Sequence, residues 1–163
     1  MADADGFDEF YAASRPRLVR ALTVACGGDV DVAADATDEA LVRALERWGR
    51  VRAMESPEAW VFSVGRNHLR RRFRRRSTEK RLLDRQRPLA AHARSADSAD
   101  AMALWGAVAE LSTRDRDIVA YRYVLGLTEA EVAEELGVAT GTVSAALSRA
   151  RRRLRSDLAE GVA

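Results

Sequence analysis

Residues Leu127–Leu154 read LTEAEVAEELGVATGTVSAALSRARRRL. Thr128 and Glu131 have the spacing of a capping box, so a helix opens there. Gly137 stops it. Thr140 can cap a second helix, which runs to about Leu158. A short helix, a turn and a second capped helix are the parts of a helix-turn-helix. Ala133 is small where the two helices cross, and Val132, Leu136, Val138, Val143 and Leu147 supply a shared core. Val143, Leu147, Ala150 and Leu154 form the buried stripe of the second helix. Its outward start holds Gly141, Thr142, Ser144, Ala145 and Ser148, small enough for close approach to a major groove. Arg149, Arg151, Arg152, Arg153 and Arg155 follow and can neutralise phosphates. The plain alternative is a helical hairpin with a soluble, arginine-rich end.

The rest of the chain also reads as helix. Phe7, Phe10, Tyr11, Ser14, Leu18, Ala21, Leu22 and Ala25 recur at helical spacing. Pro16 lies inside that run and is expected to kink or split it. Gly27 and Gly28 end it. A second helix over about Val30–Trp48 has Ala33, Ala36, Ala40, Leu41, Ala44, Leu45 and Trp48 as its inner stripe, with Gly49 as its stop. Ser56-Pro57-Glu58 starts a third helix by capping, fixed φ and dipole complementarity. That helix runs into RNHLRRRFRRR, Arg66–Arg76, with seven arginines in eleven residues. Leu69 and Phe73 carry an apolar stripe through the arginines, so the run is expected to be the basic face of a docked helix. Aromatics interleaved with arginines, Trp60, Phe62 and Phe73 among them, suit unpaired bases and their backbone.

Residues 81–100 carry alanine, serine, charge and Pro88 without a stripe, and are read as a mobile linker. Beyond them, Met102, Leu104, Trp105, Val108 and Leu111 are periodic. Ser112 then caps a helix that ends at Gly126. The expected fold is all-α: two small helical domains joined by a flexible linker, the second with a helix-turn-helix.

The 163 residues carry a net charge of only +2. The charge is unevenly spread. Residues 1–46 hold ten acids against four arginines, and residues 66–87 hold eleven bases against two acids. Residues 110–135 are acidic again, with seven acids and three arginines, before the final arginine cluster. Such blocks suit a polyanionic partner and a second, basic one. The single cysteine, Cys26, allows no internal disulfide, which points to a reducing, cytoplasmic compartment. No HxxxH or CxxC spacing suggests a metal, and CGGD lacks the lysine of a phosphate loop. No catalytic constellation and no cofactor motif is found. MADADGFDEF does not have the form of a secretory signal, and no window is apolar enough to span a membrane.

Taken in series, these pieces resemble the sigma factors of bacterial RNA polymerase, in the small, two-domain extracytoplasmic-function group. DVAADATDEALVRALERW resembles the family's helix that docks on the coiled coil of the polymerase's largest subunit. SPEAWVFSVGRNHLRRRFRRR resembles the segment that melts and reads the minus-ten element. The segment from ELSTRDRDIV to SRARRRL resembles the domain that reads the minus-35 element. The resemblance implies a domain over 7–80, a linker over 81–100 and a helix-turn-helix domain over 101–160. It places Asp35, Asp38, Glu39 and Arg43 at the core-polymerase contact, with Asp38 where glutamine is common. It places Asn67 at a loop position lining a pocket for a flipped-out base, with Trp60, Arg66, Arg70 and Arg71 beside it. Thr142, Ser144, Ala145, Ser148, Arg149 and Arg152 become the minus-35 contacts. It further implies promoter DNA and core polymerase as partners, an anti-sigma factor as an inhibitor, and a role in a stress or envelope response without any catalysis of its own. A helix-turn-helix regulator that never engages polymerase is the alternative, and a small helical enzyme is a third reading that lacks a reactive cluster.

Overall fold

The computed structural model of the protein describes residues 4–83 and 99–161. A first helical region comprises α1 (Phe7–Ala25), α2 (Val30–Glu46), α3 (Trp48–Val51) and α4 (Pro57–Leu83). A second comprises α5 (Ala99–Glu110), α6 (Thr113–Val119), a π-helical turn (Ala120–Val124), α7 (Glu129–Leu136) and α8 (Thr140–Gly161). No strand occurs among the described residues. Most of the segment read as a linker lies outside them; α4 runs to Leu83 and α5 begins at Ala99.

Pro16 does not break α1. The carbonyl that loses its donor belongs to Ala12, and both residues are exposed, so water can serve it. Ser14, Leu18, Ala21 and Leu22 meanwhile hold the opposite face in the core. Gly27 and Gly28 turn the chain with positive φ. The Asp29 carboxylate then caps α2 by accepting from the Val32 amide at 3.0 Å. Gly49 does not end α2, which stops at Glu46. The chain turns there so that Trp48 can dock: its indole N–H donates to the Asp5 carbonyl (3.0 Å), and its ring meets Phe7 edge-on at 5.3 Å.

The inner face of α2 is a run of small residues, Ala33, Ala36, Ala40 and Ala44, which lets α1 and α4 approach closely. Gly65 of α4 completes that approach. A Cβ there would lie 2.6 Å from Leu22 Cδ1 and 3.3 Å from the Ala36 carbonyl. Glycine inside a helix costs about 0.5–1 kcal/mol relative to alanine, so this position favours space over propensity. As read from the sequence, Ser56 caps α4 (Ala59 amide to Ser56 Oγ, 3.2 Å), and the helix continues unbroken through the arginines. Leu69 is buried and Phe73 packs partly on the core.

In the second region, Ser112 caps α6 and Thr128 forms a complete capping box with Glu131. The helix expected over Ser112–Leu125 instead changes to π-helical hydrogen bonding at Ala120. That wider turn helps bury Tyr121 while Tyr123 faces solvent. Gly137, at φ +63, makes the tight turn between α7 and α8. Val132, Val143, Leu147 and Ala150 are buried as the stripe requires, whereas Met102 and Leu104 of α5 are exposed.

The two regions pack on each other. Ile118, Tyr121, Leu125 and Leu127 belong to the same apolar cluster as Leu18, Leu22 and Phe62. The Tyr121 ring meets the Phe62 ring edge-on at 4.6 Å. Trp105 of α5 lies against the α1–α2 turn beside Gly28.

Replacing Gly65 with alanine is expected to lower stability by about 1–3 kcal/mol through overpacking. Gly106→Ala in α5, where a Cβ meets nothing within 4 Å, should raise it by about 0.5–1 kcal/mol. Urea denaturation of the two variants checks both signs.

Candidate nucleic-acid and polymerase interfaces

Three exposed faces carry the residues singled out in the sequence. On α2, Asp35, Asp38, Glu39 and Arg43 stand near one another and all reach solvent, but none is idle. The Asp38 carboxylate accepts from Arg15 Nε (2.8 Å) and NH2 (3.0 Å). Asp35 lies 3.5 Å from Arg72 of α4, and Glu39 accepts from Arg43 one turn along at 3.0 Å. These pairs hold the carboxylates in place at exposed positions, where each pair contributes little stability.

The same face holds two exposed aliphatic residues. Val42 is 54% exposed and Leu45 is 45% exposed. Leu45 was expected in the buried stripe. It follows Ala44, and a step of one residue rotates about 100° around the helix, out of the core. Asp38, Val42 and Leu45 fall at i, i+4 and i+7, so an apolar strip runs beside the acids. The available signal was an aliphatic pair out of phase with the alanines.

On α4 the expected residues divide. Asn67 and Arg71 are exposed, and Trp60 is half-buried. Asn67 lies within the continuous helix rather than in a loop, because the apolar spacing from Val61 through Leu69 to Phe73 never breaks. Arg66 and Arg70 are one turn apart and turn toward the second region. There Asp117 of α6, only 1% exposed, accepts from Arg70 NH2 at 2.6 Å and lies 3.6 Å from Arg66 NH1. Arg66 itself is 8% exposed, with its guanidinium 5.7 Å from the centre of the Tyr121 ring. Burial pushes the Asp117 carboxyl above its ordinary range, against the pull of Arg66 and Arg70. A small cavity of about 40 Å³ adjoins the pair, lined by Ala25, Leu69, Phe73 and Arg116 among others. Cys26 lies nearby with its thiol pushed up by burial.

On α8 the arginines also divide. Arg149 donates to Asp115 at 3.2 Å, and Arg153 lies 3.3 Å from Glu110 and 3.6 Å from Asp157. These two tie α8 to α5 and α6. Ser144 donates to Glu129 at the start of α7, which fixes the angle of the helix-turn-helix, and Thr142 is half-buried. Ala145 and Ser148 face solvent. Arg151, Arg152 and Arg155 engage no carboxylate among the described residues and, with Ser148, line one open groove. Arg152 is therefore exposed without a carboxylate partner among the described residues, while Arg149 is foremost a tether. Among the described residues no group of His, Cys, Asp and Glu could hold a metal ion, and no helix is long and apolar enough to cross a membrane.

Residues 10–79 match the family described as Sigma-70 region 2, and residues 101–154 match Sigma-70, region 4. The chain is 32% identical over 143 residues to the ECF RNA polymerase sigma factor SigC of Mycobacterium tuberculosis, covering 82% of this chain and 74% of that protein. It is likewise 32% identical over 138 residues to SigL of the same species, covering 82% and 78%. Among solved structures it is similar to the sigma factor RpoE of Bartonella quintana in complex with the anti-sigma factor NepR. The TM-score is 0.78 and the identity 25%, over 93% of this chain and 96% of that one.

The division among the α8 arginines is testable by salt titration of duplex binding. Arg151→Ala with Arg152→Ala should make the salt dependence shallower by about one to two units. Arg149→Ala, whose guanidinium is already occupied by Asp115, should change the slope less and leave the melting temperature nearly unchanged.

Proposed function

We propose, from the premise that this chain belongs to the sigma-70 family of RNA polymerase sigma factors and to its extracytoplasmic-function group, a division of labour among the three faces. The protein is an RNA polymerase sigma factor that directs promoter-specific initiation. Its first domain spans 7–80 and its second 101–160. The face of α2 docks on the coiled coil of the polymerase's largest subunit. Asp35, Asp38, Glu39 and Arg43 set the orientation, and Val42 and Leu45 supply apolar contact. An apolar strip rimmed by charge has the composition of a protein-binding surface.

The face of α4 takes the minus-ten strand. Arg66, Arg70 and Arg71 hold its backbone, Trp60 supports a base, and Asn67 reads a base that has left the stack. The helix-turn-helix enters the major groove of the minus-35 element through Thr142, Ser144, Ala145 and Ser148. Arg152 neutralises phosphate, and Arg149 keeps the helix at its angle. Two modest grips on one chain act at high effective concentration. The chemistry of RNA synthesis belongs to the polymerase. The protein works in the cytoplasm, in a stress or envelope response, and an anti-sigma factor restrains it.

One observation carries this reading. Three exposed faces of different chemistry, mixed apolar and acidic, arginine-rich with Asn67, and helix-turn-helix, occur along one chain in the family's order.

Run-off transcription tests it. Core polymerase given a genomic fragment library should start at new sites sharing two spaced upstream elements only when the protein is present. Duplex binding with no new starts would instead mark a plain helix-turn-helix regulator. Val42→Glu with Leu45→Glu should weaken co-elution with core polymerase at least tenfold and leave the melting temperature nearly unchanged, since both side chains are exposed.

A further inference from the structure

The cavity of about 40 Å³ beside Asp117 is built like a site for a small anion. Leu69 and Phe73 give it apolar walls, and Arg66, Arg70, Arg116 and Asp117 give it a charged one. Arg70 and Thr113 line it from exposed positions and so mark its mouth, whereas Arg66 and Asp117 are buried. Three guanidinium groups meet one carboxylate there. Glu135 of α7 also draws on Arg66 but does not line the cavity. The lining therefore carries surplus positive charge, which is costly to bury unless an anion answers it.

Hydrogen-bonding groups of both kinds are left over. Arg66 is 8% exposed, yet its Nε and Nη1 have no hydrogen-bond partner among the described residues, and neither does Arg116 Nε. Asp117 Oδ1 has no donor among them either. The groups around these are fixed in place. Arg116 Nη1 donates to the Ala109 carbonyl at 3.2 Å and Nη2 to the Thr113 hydroxyl at 3.4 Å. Arg70 donates to Asp117 Oδ2 at 2.6 Å.

We propose that this cavity binds a small oxyanion that keeps one proton, hydrogenphosphate, held by the unused N–H groups of Arg66 and Arg116 and donating its own O–H to Asp117 Oδ1. Size and donor set select it. One water takes roughly 10–15 Å³ of such a cavity, so 40 Å³ corresponds to about three water-sized spheres. That admits a compact ion whose oxygens overlap and excludes a nucleoside. Oxyanions suit the planar fork of arginine, and charge-assisted bonds are the strong ones. Sulfate offers acceptors only, and would set a lone pair against that of Asp117. Hydrogenphosphate has acceptors for the arginines and a donor for the carboxylate. Burial holds the Asp117 carboxyl above its ordinary range, against the pull of Arg66 and Arg70, which suits a proton shared between the two acids. Water can bridge the same groups but leaves the surplus charge unanswered. The site does not rest on the strand-binding role of α4. Arg116 and Thr113 belong to α6, and the phosphodiester of a strand carries no proton.

The test is isothermal titration calorimetry of the full-length protein with inorganic phosphate, at neutral pH and constant ionic strength. Sulfate is the comparator of similar size and charge, and dimethyl phosphate is the diester unit of a nucleic-acid backbone. Phosphate should bind at one site per chain, at least tenfold more tightly than either. Arg116→Gln should weaken it at least tenfold. Arg114→Gln, the same loss of charge at an exposed position of α6 outside the cavity, should stay within twofold. Asp117→Asn should bring phosphate and sulfate within threefold of each other, since an amide can donate to both. The comparison of the three ions on the unaltered chain is independent of any folding defect in a variant. Phosphate and sulfate binding alike would mark a basic surface that attracts any anion, and no heat from phosphate would mark a cavity for water alone; either overturns the proposal. So does a preference for phosphate that Arg116→Gln, folded by circular dichroism, leaves unchanged.

Discussion

Helix α4 must do two incompatible things along one rod. Its stripe of Val61, Phe62, Leu69 and Phe73 has to leave water, yet seven arginines share the same turns and carry charge that is costly to bury. The rest of the molecule is arranged around that conflict. The small inner face of α2 and the absent side chain of Gly65 let α1 and α2 cover one side. Ile118 and Tyr121 reach the stripe from the second region. Where that cover meets arginine, it brings Asp117, because a buried guanidinium without a counter-charge would open the contact.

Two populations stand out among the arginines of α4 and α8. Arg66, Arg70, Arg149 and Arg153 are held by carboxylates of the second region. Arg71, Arg151, Arg152 and Arg155 face solvent and engage none among the described residues. The same residue type thus serves as a tether in one place and faces solvent in another. A net charge of +2 conceals this, since much of the acid in the chain is spent locally against base. Exposed pairs of that kind add little stability. Their effect is to aim helices, as Asp115 does for Arg149, a part that Glu129 plays for Ser144 by a hydrogen bond.

Much of this was legible in the amino acids, because it depends on local rules. The capping box at Thr128, the serine caps at 56 and 112, the turn at Gly137 and the stripe Val143–Leu147–Ala150 were all readable. Each depends on residues three or four apart, which a helix makes neighbours. Two of the errors share a cause too. The expected kink or split at Pro16 does not divide α1, because the bond it removes faces water. Leu45 was counted as buried, but one residue of phase carries it outside. Asn67 was placed in a loop by resemblance, while the unbroken stripe around it keeps the backbone helical. For Pro16 and Leu45 the outcome turned on which side of the helix met solvent.

The sequence by itself determined the helices, their order, the helix-turn-helix and the identity of the charged faces, since periodicity and capping are properties of short stretches. Only the tertiary structure decided which of those charges are available. Arg66 and Asp117 are fifty-one residues apart, and no local pattern links them. Their meeting follows from how Tyr121, Phe62 and Leu22 pack. Packing depends on shape across the whole core, and that is settled only when all the helices are in place.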